Sequence, residues 1–155
     1  MPGMATTWTD ADPLAFLEKV TPAGRRRDAM TMLELMREVT GLEPRMFGPS
    51  IVGFGEYAYE YASGHRGIAP AASFSPRKNA TVVYLPDGFG AHADALAKLG
   101  PHTTGAGCLY LKDLTKLDLD VLASILRASF ATVTAGTFGK RARDGAAPGD
   151  CDPSA

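Results

Sequence analysis

The sequence predicts a single α+β domain whose mainly antiparallel sheet is packed against helices. Three observations carry this expectation. Runs of β-type residues gather in the middle of the chain without the strand-helix alternation of a parallel sheet. Amphipathic stripes with start and stop signals flank them on both sides. The length, 155 residues, is that of one ordinary domain.

Residues 1–9 lack periodicity and are expected to be loose, with the domain itself spanning 10–135. Asp12 followed by Pro13 is a helix start, with Asp12 as the cap and Pro13 in the first turn. Leu14, Phe16, Leu17 and Val20 complete a short amphipathic helix. Thr21-Pro22 repeats the start signal. Ala29, Met32, Leu33, Met36 and Val39 then recur at helical spacing until Gly41 stops the helix. The methionines of this stripe read as core filling, since a flexible thioether packs irregular gaps.

From Phe47 the pattern turns to β. The stretch SIVGFGEYAYEYASGHRG, Ser50 to Gly67, is read as the longest strand, ending in a turn at Ser63-Gly64. Tyr57, Tyr59 and Tyr61 fall at every second residue and therefore share one face, leaving Glu56 and Glu60 on the other. A loop leads to a strand at Ala71–Ser75, then Ser75-Pro76-Arg77-Lys78, then a strand at Ala80–Leu85 ended by Pro86-Asp87-Gly88. Ala91 to Leu99 is a short helix closed by Gly100-Pro101. Gly107 to Leu111 is a last strand. Asp118 caps a final helix with its stripe at Leu119, Leu122, Leu126, Phe130 and Val133. After Gly136 the apolar pattern is lost, and residues 136–155 read as a disordered tail.

Composition narrows the function classes. Sixteen basic residues against seventeen acidic ones leave a formal charge of -1, so the basic surplus of a nucleic-acid binder is missing. Arg25-Arg26-Arg27, followed at once by Asp28, reads as a solvated helix face. Two cysteines are too few and too badly placed for a disulfide scaffold. With no secretory leader and no apolar run of about 18 residues, the expectation is a reduced, cytoplasmic protein with no membrane partner.

Candidate site residues follow from residue chemistry. All five tyrosines fall in expected strands, Tyr84 and Tyr110 in addition to the three above, and rings with polar tips suit a pocket wall as well as a core edge. Arg77 and Lys78 are the best anion-binding candidates, a guanidinium matching carboxylate or phosphate geometry; the plainer reading pairs them with Glu56 or Glu60. Cys108 with His102 raises a thiol-nucleophile reading, against which Cys108 lies in a packed apolar strand. His65, His92 and His102 lack zinc-ligand spacing. Asp113, Asp118 and Asp120 are explained by helix capping, though oxygen ligands of this kind also suit iron. Gly53-Phe54-Gly55 and Gly105-Ala106-Gly107 lack the context of a phosphate loop and read as bulges or turns.

Several short segments in order resemble the YdhG-like family. They are Met36 to Gly41, Gly48-Pro49-Ser50-Ile51-Val52-Gly53-Phe54-Gly55, Tyr59-Tyr61-Ser63-Gly64 and Phe74-Ser75-Pro76-Arg77-Lys78. Leu99-Gly100, Gly105, Gly107-Cys108-Leu109-Tyr110 and Leu117-Asp118-Leu119 continue the series, so the likeness runs from about Phe16 to Thr132. It implies a small bacterial intracellular α+β domain without established catalytic residues, with one distant branch proposed as a frataxin-like iron chaperone. Two positions depart from the family pattern: Phe47 stands where tryptophan is frequent, and Ala106 where lysine is.

The sequence therefore implies a non-enzymatic domain binding a small ligand or a protein partner, with no cofactor, no metal site and no catalytic residue assigned. The ligand site is expected at Tyr57, Tyr59, Tyr61, Arg77, Lys78, His102, Cys108 and Tyr110. Within it the middle tyrosine should be packed and the outer rings should border a cleft near Arg77 and His102. An iron chaperone and a thiol-dependent enzyme using Cys108 are the alternatives. Oligomeric state is not legible.

Overall fold

A computed structural model describes residues 7–60, 64 and 66–136. The described chain forms β1 (Trp8–Thr9), α1 (Pro13–Glu18), α2 (Ala23–Thr40), β2 (Arg45–Phe47), β3 (Ile51–Glu60), β4 (Arg66–Pro76) and β5 (Thr81–Tyr84). These are followed by α3 (Ala93–Leu99), β6 (Thr103–Thr104), β7 (Cys108–Leu111) and α4 (Leu119–Thr134), with short 3₁₀ turns at Gly90–His92 and Leu114–Lys116. The strands make one antiparallel sheet in the order β1-β2-β3-β4-β5-β7-β6. The fold is thus the expected α+β domain. Among the described residues, no helix is long and apolar enough to cross a membrane.

Local chemistry places the helices where the caps indicate. The Asp12 carboxylate accepts from Leu14 N with Pro13 in the first turn, and α2 stops at Gly41 in a left-handed conformation. Asp118 accepts from the backbone of Asp120 and Val121 at the head of α4. The core lies between the helices and one sheet face. Met32, Leu33 and Met36 of α2 and Leu122, Ile125 and Leu126 of α4 meet Val52, Phe54, Phe74, Val83, Leu85, Leu109 and Leu111. Each large side chain fully covered there contributes roughly 2 kcal/mol. The methionines at positions 32 and 36 are wholly buried, as core filling requires.

The largest departure from expectation is β4. It begins at Arg66 rather than Ala71 and pairs with β3 as a long hairpin, from Glu60↔Arg66 to Val52↔Phe74. β2 pairs only with residues 51–53 of β3, and β5 only with residues 73–76 of β4. The rest of the hairpin therefore extends as a two-stranded arm. Pro70 is tolerated inside β4 because that stretch has no β5 neighbour awaiting a backbone N–H.

The arm also reverses its pleat. Val52 and Phe54 face the helices, and Gly53 between them faces away, under the Trp8 ring. A strict alternation would then turn Tyr57 outward. Instead Tyr57 is buried with Ala69, Ala71 and Val133 of α4, and Glu56 turns outward to accept from Trp8 Nε1 at 2.9 Å. The switch falls at Gly55, whose φ is +68°. Ala71 and Ala72 of β4 make the matching switch, since both belong to helix-facing clusters.

Candidate functional site

The sheet has two unlike faces. One carries the core under the helices. On the other, alternation places Ser73 and Ser75 of β4, Val82 and Tyr84 of β5, and Cys108 and Tyr110 of β7, since their neighbours Phe74, Val83, Leu109 and Leu111 all point into the core. The register aligns them in two rows, Ser73–Tyr84–Cys108 and Ser75–Val82–Tyr110, the second continuing to Thr103 of β6. The middle of this face is not open to solvent, Ser73 being only 4% exposed. Ser75, Val82 and Cys108 are buried, while Arg77, Tyr84 and Tyr110 are partly exposed.

This geometry divides the expected site in two. Arg77, Lys78, Tyr110 and His102 lie at one end of the sheet, around the β4–β5 turn and the start of β6. Tyr110 is two strands from Ser75, about 10 Å across the sheet. Tyr57 and Tyr59 lie on the arm, on the helix face. Tyr57 pairs with Ala69, eight residues up β4 from Arg77, a separation of about 26 Å along a strand. The expected cleft joining Tyr57 and Tyr59 to Arg77 and His102 is therefore not formed, because the pleat reversal and the length of β4 separate them. Tyr57 is the packed ring and Tyr59 is half-buried, the reverse of the expectation that the middle ring packs; their centroids are 6.1 Å apart. Tyr61 and His65 lie outside the described residues.

At the β4–β5 turn the sequence has built a supported cation. Arg77 N donates to Ala80 O at 2.9 Å, closing the turn. The wholly buried Ser75 donates its hydroxyl proton to Ser50 O at 2.6 Å, and its Oγ accepts from Arg77 Nε at 2.8 Å. The ion pair expected with Glu56 or Glu60 does not form, since both acids lie out on the arm. Among the described residues, neither Arg77 nor Lys78 has an ion pair.

Cys108 is wholly buried and takes part in a disulfide bond. This corrects the expectation of a reduced cysteine, since spacing along a chain does not reveal which sulfurs a fold brings together. It also removes the thiolate that the thiol-enzyme reading needs. His102 Nδ1 is engaged with Gly100 O at 2.7 Å.

Two polar clusters escaped the sequence reading. In the first, Asp87 sits between Ser129 Oγ at 2.6 Å and His92 Nε2 at 2.8 Å, all three groups being nearly buried. A nucleophile relay needs the imidazole between the hydroxyl and the carboxylate; here the carboxylate is central, so the cluster fastens the β5–α3 connection to α4. The second corrects the solvated-face reading of Arg25. Arg25 is 8% exposed and donates to Thr81 Oγ1, Leu111 O and Lys112 O. Asp28, 1% exposed, accepts from Arg27 and from Leu114 N and lies 3.6 Å from Arg25. The start of α2 is thereby locked to the end of β7.

Asp113 and Asp118 are used as caps of the Leu114–Lys116 turn and of α4. The Thr115 hydroxyl at 2.6 Å, then the Thr115 N–H at 3.0 Å, hold the Asp113 carboxyl below its ordinary value, with Arg27 and Lys116 adding to the shift and desolvation opposing it. Among the described residues, no group of three or more His, Cys, Asp or Glu side chains is arranged to hold a metal ion.

No protein-family model, no curated protein and no solved structure matches this chain.

Proposed function

We propose that this chain is a non-enzymatic, YdhG-like bacterial binding domain that takes a small ligand or a protein partner at the margin of its outer sheet face. The observation that carries this is the division of the sheet. The helices use one face for the core, while at the margin of the other, around a buried centre of small and apolar residues, Tyr84, Tyr110 and Arg77 stay partly exposed. A few partly exposed polar groups held in place at the edge of a packed centre suit recognition of a ligand. Amide NMR with a metabolite library tests the reading. Shifts grouped at Ser73, Ser75, Val82, Tyr84 and Tyr110 are expected, with Tyr57 and Tyr59 unmoved. Ligands that shift only the arm would overturn it, as would ferrous iron bound stoichiometrically through Asp113, Asp118 and Asp120.

A further inference from the structure

The geometry points to Arg77 as the anchor of an oxyanion site, one that takes a ligand presenting two neighbouring acceptor oxygens, a carboxylate or a phosphate. This deepens the outer-face reading and rests on it. Ser75 has one hydroxyl proton, and that proton is committed to Ser50 O at 2.6 Å. Its oxygen can then meet Arg77 Nε at 2.8 Å only as an acceptor, which fixes the direction of both bonds. The serine is wholly buried and sits within β4, so the support is rigid.

Using Nε in this way leaves both terminal nitrogens of the guanidinium unspent. Those two form the fork that grips two oxygens at once. The other supported arginines are differently employed. Arg25 and Arg27 face Asp28, with Arg27 also on Asp113, and Arg37 holds Glu34 and Glu43 through its terminal nitrogens. Arg26 gives a terminal nitrogen to Val20 O, so its fork is broken. Arg77 alone among these four and itself combines an oriented side chain, an intact fork and, among the described residues, no acidic partner. Lys78, exposed beside it in the turn, adds a second positive charge without competing for the same geometry.

The test uses the full chain and two probes, succinate for carboxylates and phenyl phosphate for phosphate monoesters, titrated by calorimetry and by NMR of the arginine side-chain N–H groups. At least one probe should bind and shift the Arg77 Nε–H signal. Arg77→Gln should weaken that binding by about tenfold or more, and Arg77→Lys, which keeps charge but loses the fork, by a comparable factor. Ser75→Ala should cost less, about threefold, by releasing the orientation of the guanidinium. Tyr57→Phe, on the arm, should leave affinity unchanged. Succinate binding alone marks a carboxylate site, and phenyl phosphate alone a phosphate site. Arg77→Lys binding as well as the parent would show a plain charge effect and defeat the fork. If neither probe binds while library ligands still map to the outer face, the oxyanion site fails and the broader reading stands. If nothing maps to that face, both fail.

Discussion

Ser129 of α4 donates to Asp87 Oδ1 at 2.6 Å, while the other oxygen of the same carboxylate meets His92 Nε2 at 2.8 Å. One side chain thus joins a helix to a loop that would otherwise leave two buried polar groups unpaired. Asp87→Ala should destabilise the fold by about 3 kcal/mol, because both partners lose their acceptor in a dry site. Ser129→Ala should cost about 1 kcal/mol, since His92 still holds the carboxylate. Urea unfolding monitored by circular dichroism gives both values; equal and negligible effects would show the cluster to be solvated.

The Arg25–Asp28 lock makes a stronger demand. Asp28→Ala leaves Arg25 buried without its carboxylate, and a cost of about 3–5 kcal/mol is expected. Replacing both residues together, with Arg25→Met and Asp28→Leu, should be milder than Asp28→Ala alone, since no orphan charge remains. A double replacement that proves worse than the single one would mean that Arg25 matters through its bonds to Leu111 O and Lys112 O rather than through charge pairing.

Asp113 gives the acid response a sign. Its folded-state carboxyl lies below the ordinary 3.8. The unfolded chain therefore binds the proton more readily, and stability falls as pH drops. The contribution is complete above the ordinary value and is lost as pH falls through the lower folded value. Urea midpoints measured from pH 6 downward should show Asp113→Asn less sensitive than the parent below about pH 4. Parallel curves for the two proteins over that range would contradict this.

How legible all this was depended on the range of the interactions involved. Asp12, Gly41, Gly100 and Asp118 act within a turn of themselves, and the helices they bound stand where those residues indicate. The start of β4 was hidden because Ala69-Pro70-Ala71-Ala72 carries no alternation of polarity, and its pleat reverses between two alanines. Asp87 read as part of a turn and Arg25 as a surface charge, because their partners Ser129 and Thr81 lie 42 and 56 residues away. Arg77 was singled out on chemistry alone. What the sequence could not show was that Ser75 orients it, or that the arm carries Tyr57 and Tyr59 out of its reach.

Gly55 governs that last separation and can be tested directly. Its φ of +68° is costly for any residue with a Cβ, by roughly 1–2 kcal/mol. A methyl group there would also stand 2.9 Å from Leu42 Cδ1 and 3.4 Å from the Phe130 ring. Gly55→Ala should therefore destabilise the protein by about 2 kcal/mol or more, the conformational and steric costs together. The two can be parted. Leu42 is 40% exposed, so Leu42→Ala alone should be cheap, and adding it to Gly55→Ala should relieve the collision while leaving the backbone strain. Recovery of only part of the loss is expected. Hydrogen exchange should show the damage concentrated in residues 54–60 and 66–72, where Tyr57 loses its place against Val133, with the strands under α2 spared. Full recovery by the double variant would assign the whole effect to packing, and the pleat reversal would then need no glycine.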